Sequence, residues 1–435
     1  MHRCVYFFSI GTLYPACRNF WRSDNCCINL TICDESRNTC GRMSTFLGFI
    51  KEIPGISVDH FEEKNKTLSS VFFLSHCHTD HMAGLSKEFF THLNIYNKYL
   101  YCSAITKALL ESKFSFQNSV KEIDIDTPTV VEYELENKEK MIISVTCISA
   151  GHCLGSVMFL FELNNVSVLY TGDFRINSTD FPKLKGLHYY ESSRLLPRTF
   201  TTIYLDTTFL DRDFPSFPTR KESLSKMSDI IKQWIHKDPR NVIILECSAT
   251  YGSEFLFVEL SKMLNMKIHV KPFVYESYCR IQQLSYYVTN DPYSTPIHAC
   301  TKKQFSSRLK CREDVLDVHV MTIIPSAMKW KKKDTSVIGE WDKVRSRTFN
   351  VCFSMHSSFN ELKAFIRYFN ALEIHSCVVK KGEEETMNGL LDEIRKESDK
   401  QGTVNETYRL ELPAHKKLNK PPFEYKYFSS DDDST

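Results

Sequence analysis

The chain has 435 residues, 42% of them hydrophobic and 25% charged, with a formal net charge of +2 at pH 7. This is the composition of a globular protein large enough for two cored domains, and it excludes capture of a polyanion by overall charge. No apolar run approaches the roughly 18 residues that cross a bilayer, so no membrane partner is expected.

Of sixteen cysteines, six (Cys4, Cys17, Cys26, Cys27, Cys33 and Cys40) precede residue 41. Others fall in apparent strands, such as Cys147, Cys247 and Cys352, where a free thiol packs as a small hydrophobe. A reduced, intracellular protein is expected. Residues 1–42 differ in character from the remainder of the chain. Their apolar stretch at 5–10 is short and broken by Gly11 and Pro15, which makes a poor signal peptide. The globular pattern opens at Met43. Residues 1–42 are therefore expected to be an extension outside the fold, with a small disulfide or zinc module as the alternative.

The first strand expected, at 56–61, carries Asp59 near its end. Such an Asp is commonly a turn residue, and it can also hold a ligand histidine from behind. The apolar run 71–74 then delivers the loop Ser75-His76-Cys77-His78-Thr79-Asp80-His81, which reads H-x-H-x-D-H. Four donor residues this close suit a tight loop at a strand end, aimed at one or two metal ions. A helix is predicted over 85–90. A strand at 141–148 runs into Gly151-His152, whose neighbouring glycines would let backbone approach a metal. Strands at 166–170 and 200–205 end at Asp173 and Asp206. Apolar strands that each end in a donor place a site along one edge of a layered α/β fold.

Leu224, Met227, Ile230, Ile231, Trp234 and Ile235 share a helical face, followed by a buried strand at 242–245 and a helix near 255–264. This alternation from about 200 to 350 predicts a second α/β unit. Within it lie His269, His298, Cys300 and Cys311. Two His and two Cys can close a tetrahedral zinc site, although by spacing alone buried cysteines and satisfied core histidines are the commoner reading. A strand ends at His356 and a helix follows with Leu362, Phe365, Ile366 and Phe369 on one face. The last strand is predicted at 376–379 and the last helix at 386–396. Beyond residue 400 the chain turns polar and is expected to be a disordered tail.

Six donors form a dinuclear-type set: His76, His78 and His152 for one ion, Asp80 and His81 for a second, and Asp173 bridging. Such a pair suits hydrolysis of phosphodiesters, lactams or thioesters alike, so it gives a reaction type and not a substrate.

Several stretches together resemble the metallo-β-lactamase/β-CASP nucleases of the DNA cross-link repair 1 family. They are Ser57-Val58-Asp59-His60-Phe61, Phe73 through Met82, Ala150 through Phe161, Val168 through Arg175, Tyr204 through Phe209, Ile297-His298-Ala299-Cys300 and Cys352 through Ser358. The resemblance implies an α/β protein, an αββα sandwich with an inserted β-CASP α/β domain. The lactamase part would span 43–196 and 356–400, with the insertion at 197–355 and the tail at 401–435. It implies metal ligands His76, His78, His152 and Asp173 at the first site and Asp80 and His81 at the second, with Asp59 behind them. Asp80, Asp173, Asp206 and His356 would be the catalytic group. It also implies Zn2+ in the active site, with Mg2+ or Mn2+ as the alternative at the second position. A structural Zn2+ would be held by His269, His298, Cys300 and Cys311, which reverses the reading from spacing.

The function implied is nuclear DNA end processing by an endonuclease that opens hairpins and trims overhangs in double-strand break repair. A 5′-exonuclease of cross-link repair, an RNA-cleaving relative, a small-molecule metallohydrolase and a non-catalytic scaffold are the alternatives. RNA-cleaving relatives carry a His after the His356 helix, where Cys377-Val378-Val379 stands here. Thr79 and Leu154 replace Lys and Pro of close relatives. DNA is the partner implied. A DNA-dependent kinase and end-joining proteins are implied as well, but the long tail that recruits them has no counterpart here, which leaves them open. The clusters Lys302-Lys303 and Lys329-Trp330-Lys331-Lys332-Lys333 are expected either to grip phosphates or to form solvated loops.

Overall fold

The computed structural model describes residues 44–247, 252–300 and 309–400. The expected extension at 1–42 and tail at 401–435 lie outside the described residues, as do Lys302 and Lys303. All described residues fall in one compact unit.

Four short parallel strands, β1 (Ile56–Val58), β2 (Val71–Phe73), β3 (Tyr99–Cys102) and β4 (Val120–Glu122), form the first sheet in that order. β5 (Thr129–Glu134), β6 (Lys140–Ser149), β7 (Val157–Leu163) and β8 (Val166–Tyr170) follow as an antiparallel meander. A small hairpin, β9 (His188–Glu191) with β10 (Arg194–Pro197), leads to β11 (Phe200–Leu205). β11 pairs in parallel with β8 and, on its other side, with the last strand among the described residues, Ala371–Ser376. The strand 200–205, which the expected boundary at 197 gave to the insertion, thus lies inside this six-stranded sheet.

The two sheets face each other across a dry core. Phe73 meets Phe159 and Phe161 at ring-centroid distances of 5.3 and 4.9 Å, with Val58, Val145, Val168 and Tyr170 around them. Each fully buried aromatic of this kind stabilises the fold by about 1.5–3 kcal/mol. β2 is buried on both faces: Val71 and Phe73 enter this core, and Phe72 points the other way, to the helices Lys87–Ile95 and Ala104–Glu111. The far face of the six-stranded sheet is covered by the helices Phe359–Tyr368 and Glu384–Lys400. Helix, sheet, sheet, helix is the αββα sandwich expected.

The insertion has its own sheet. Its strands are β12 (Val242–Leu245), β13 (Ile268–His269), β14 (Val288–Thr289), β15 (Ile297–His298), β16 (Val320–Pro325), β17 (Gly339–Trp341) and β18 (Thr348–Val351), ordered β14-β13-β15-β12-β16-β18-β17. Only β17 runs antiparallel to its neighbour. The helix Arg220–Ile235 enters this unit through a capping box of Thr219 and Glu222 and buries Leu224, Met227 and Ile231.

Two local expectations change. The helix expected over 85–90 begins at Lys87, because Ser86 caps it by accepting from Phe89 N, and runs on to Ile95; an earlier helix, Glu63–Leu68, precedes it. The last strand, β19, is Ala371–Ser376 and not 376–379; the apolar residues 377–379 are the loop beyond it. The four lysines of the basic cluster 329–333 meet three carboxylates. Lys329 pairs with Asp342 at 2.6 Å, Lys331 and Lys332 with Asp213 at 3.4 and 3.7 Å, and Lys333 with Glu340 at 2.5 Å.

Candidate metal centre

The carboxyl ends of β1, β2, β6, β8, β11 and β18 converge on one edge of the molecule. Asp59 follows β1 in a left-handed conformation, φ +53°, which Asp tolerates better than most side chains. Its buried carboxylate accepts from Ser75 N at 2.7 Å, Ser75 Oγ, His81 Nδ1 at 2.7 Å and Tyr170 Oη at 2.9 Å. Ser75 has given its hydroxyl proton to Asp59, so its oxygen accepts from His76 Nδ1 at 2.9 Å. His152 Nδ1 donates to the Met355 carbonyl at 2.9 Å, and His356 Nδ1 to Asp206 at 2.9 Å. Four imidazoles therefore have one nitrogen held by an acceptor and the other turned inward. This is how proteins orient metal-binding histidines.

Inward, His76 Nε2 and His152 Nε2 lie 2.9 and 3.0 Å from His78 Nδ1. The first two nitrogens carry lone pairs, and one proton on His78 cannot serve both. The Asp173 carboxylate divides between two groups. Its Oδ2 faces His76, His152 and His356 at 3.6, 3.5 and 3.8 Å, and its Oδ1 faces His81 Nε2 at 3.2 Å. His81 Nε2 is buried and makes no aligned hydrogen bond. Asp80 is partly exposed beside it, 3.8 Å away. Convergent lone pairs, a divided carboxylate and an orphaned buried nitrogen fit one or two cations, with Asp173 between them.

Burial and the neighbouring carboxylates set the histidines apart from one another. Burial, reinforced by the neighbouring rings, pulls His76 and His152 well below the usual imidazole value, and burial brings His78 down to about 4. These three are neutral at pH 7, with lone pairs free for a cation. Burial also disfavours charge on His81 and His356, but their carboxylate partners outweigh it. Asp173 and Asp59 hold His81 well above the usual value, and Asp206 and Asp173 bring His356 to about 9. Burial works to raise the Asp173 carboxyl; His81, His356 and His152 overcome it and hold that group well below the carboxylate range.

In the insertion, the structure brings together the other four predicted ligands. His269 and His298 are register partners on β13 and β15, both buried, with Nδ1 atoms 3.0 Å apart. Cys311 Sγ lies 3.4 Å from His298 Nδ1, 3.7 Å from His269 Nδ1 and 3.3 Å from Cys300 Sγ. These separations are close to the edges of a donor tetrahedron around zinc, about 3.3–3.8 Å from its bond lengths.

A family model described as DNA repair metallo-beta-lactamase matches residues 282–382. The chain is 36% identical to protein artemis of Homo sapiens over 359 residues, covering 78% of this chain and 50% of that protein. It is 35% identical to protein artemis of Danio rerio over 356 residues, covering 78% and 54%. It is 26% identical to the DNA cross-link repair 1A protein of Homo sapiens over 355 residues, covering 78% and 31%. The chain belongs to the DNA repair metallo-β-lactamase family. It spans about half the length of the curated artemis proteins it matches.

Some residues of this DNA repair metallo-β-lactamase centre had no role in the sequence. Tyr170 is one. It is fully buried in the inter-sheet core, where a phenol must find an acceptor, and that acceptor is Asp59. Tyr170→Phe is expected to cost about 1 kcal/mol of stability, measured by denaturant unfolding, because Asp59 keeps its other donors. Arg175 is another. It donates to Glu361, to the Ser354 carbonyl and to the Pro218 carbonyl at 3.1, 3.0 and 3.0 Å, which joins the insertion's two crossing points to the lactamase part. The glycines flanking His152 serve packing. A β-carbon on Gly151 would lie 2.7 Å from the Arg175 carbonyl oxygen, and one on Gly155 would lie 2.7 Å from Ile105.

Proposed function

We propose that the protein is a metal-dependent DNA nuclease, an endonuclease that processes hairpin and overhang ends in double-strand break repair in the nucleus. The observation that carries this is the Asp173 carboxylate, divided between the histidine group His76, His78 and His152 and the pair Asp80 and His81. Zn2+ held by these residues, with Mg2+ or Mn2+ as the alternative beside Asp80 and His81, would acidify water and neutralise charge on a phosphodiester. Asp80, the most exposed of the carboxylates facing the site, is placed to accept a proton from the attacking water. His356, held protonated by Asp206, is placed to give one from Nε2 to the leaving oxygen. His269, His298, Cys300 and Cys311 hold a structural Zn2+ in this reading. The insertion begins after β11, near residue 206, and ends before His356.

The names of the relatives support DNA over a small-molecule substrate. Binding to a DNA-dependent kinase and to end-joining proteins is the partner side of the same proposal. His375 does lie in the last strand, but its ring packs on Tyr204 at 5.0 Å and faces Glu52 and Glu373, apart from the metal histidines.

The test is incubation of the full chain with end-labelled hairpin, overhang and single-stranded DNA, beside RNA of the same sequence. Metal-dependent cutting of the DNA ends, stopped by a chelator, is expected. Equal or faster cutting of the RNA overturns the DNA assignment, and 5′-mononucleotides as the first products turn the reading to the exonuclease.

A further inference from the structure

His78 differs from the other four histidines of the centre. Its Nδ1 faces His76 and His152, and no acceptor side chain or carbonyl among the described residues holds its outward Nε2. The outward edge meets backbone of the insertion. A β-carbon built on Gly252 would lie 2.1 Å from His78 Nε2 and 2.9 Å from Cε1, and Gly252 has a φ of +105°. No other residue fits there, on steric grounds and on conformational ones.

Gly252 is itself held. Its amide donates to both carboxylate oxygens of Glu254, at 2.9 Å each, and Tyr278 Oη donates to the same carboxylate at 3.0 Å. Glu254 and Tyr278 are 1% and 0% exposed. Glu254 opens the helix Glu254–Leu264, which packs in the same core as β12 and the helix Arg220–Ile235. A buried carboxylate is costly, and this one is satisfied by the glycine amide and the phenol that fix the loop.

We propose that Glu254 is a positioning residue for the metal-facing His78, acting through the backbone of Gly252. The insertion thereby holds one wall of a metal centre whose ligands come from the lactamase strands. The role rests on the reading that His76, His78 and His152 bind a cation.

The experiment titrates Zn2+ into metal-stripped protein against a chelator of known affinity. It also counts zinc per chain and measures kcat and KM on hairpin DNA. Glu254→Ala is expected to weaken zinc at the histidine cluster about 10–100-fold, the usual effect of losing a group that orients a ligand. kcat should fall with KM little changed, while the zinc at the two-His, two-Cys site stays at one equivalent. Glu254→Gln keeps one acceptor oxygen for the Gly252 amide and should recover most of the affinity. A merely structural role would lower stability alone and leave zinc affinity and kcat of the folded fraction unmoved; that result overturns the proposal. If Glu254→Ala does not fold, Gly252→Ala decides in its place. It should weaken zinc at least as much, and unchanged affinity overturns the proposal. Wild-type protein that binds no zinc beyond the two-His, two-Cys site overturns the metal-centre reading itself.

Discussion

Asp173→Asn is expected to lower DNA cleavage by about a thousandfold or more, roughly 4 kcal/mol of transition-state stabilisation. The two oxygens of Asp173 point to different histidine groups, Oδ2 to His76 and His152 and Oδ1 to His81. Asparagine keeps one acceptor and turns the other into an NH2 donor. Facing the three-histidine side, that NH2 would hydrogen-bond the Nε2 lone pairs of His76 and His152. Facing His81, it would take the carboxylate oxygen away from His81 Nε2 and leave that ring with Asp59 alone on Nδ1. Either way one half of the centre loses its carboxylate, and the charge that holds cations there falls by one. The fold should survive, because the change is nearly isosteric at a strand end. DNA binding should survive too, since phosphate contacts come largely from basic side chains away from the reacting atoms. Cleavage and binding measured side by side at one salt concentration check this. Near wild-type cutting by the folded variant, free of contaminating nuclease, would falsify the role given to Asp173.

The structure brings the predicted donors together in two clusters, and for the first cluster the reason is local. Each of its donors follows an apolar strand, and parallel strands send their carboxyl ends to one edge, whereas His269 and His298 lie within β13 and β15. Type and position were therefore readable together. The supporting groups were not. Tyr170 looks like any strand tyrosine until β8 is stacked over β1, 111 residues away. Arg175 looks like a charged loop residue, yet its partners lie as far off as Glu361. Gly252 and Glu254 acquire meaning only when the insertion folds back on His78.

The misread elements have physical causes as well. The last strand, Ala371–Ser376, is an edge strand with Leu372 73% exposed and Glu373 exposed, so its sequence is mixed. The apolar residues just after it are buried because the loop they form packs inward: Cys377 N bonds to the Leu205 carbonyl and Val378 N to Thr207 Oγ1. The pairing of the lysines at 329–333 could not be read, because their partners Asp213, Glu340 and Asp342 are not adjacent in the sequence.

Cys311→Ser should produce the largest loss of stability. Its sulfur lies within 3.3–3.7 Å of all three other donors of the insertion's site. Cys300, through its hydrogen bond to Cys311, holds the Cys311 thiol far below its usual value, to about 3, so the sulfur is a ready thiolate ligand. A serine hydroxyl at the same place is neutral and hard, and a closed tetrahedral zinc site does not tolerate it. Losing the ion removes more than one bond. It releases the register pair His269 and His298 on β13 and β15, and it frees Cys300 and Cys311 from the small core of Val242, Ile244, Leu309 and Val320 against which they pack. Zinc at such sites contributes folding free energy directly, of order 10 kcal/mol in small domains. In a unit that also has its own core, a net loss of about 4 kcal/mol is a reasonable share. At about 2–4 °C per kcal/mol for a domain of this size, Tm should fall by about 10 °C. Zinc counted per chain should fall by one equivalent, and the folded fraction at low temperature should still cut DNA within about twofold of wild type, because none of these four residues faces the Asp173 centre. Unchanged zinc content together with an unchanged melting curve would remove the structural ion from the account. A large loss of kcat in still-folded protein would show that this site acts on the chemistry and not only on the fold.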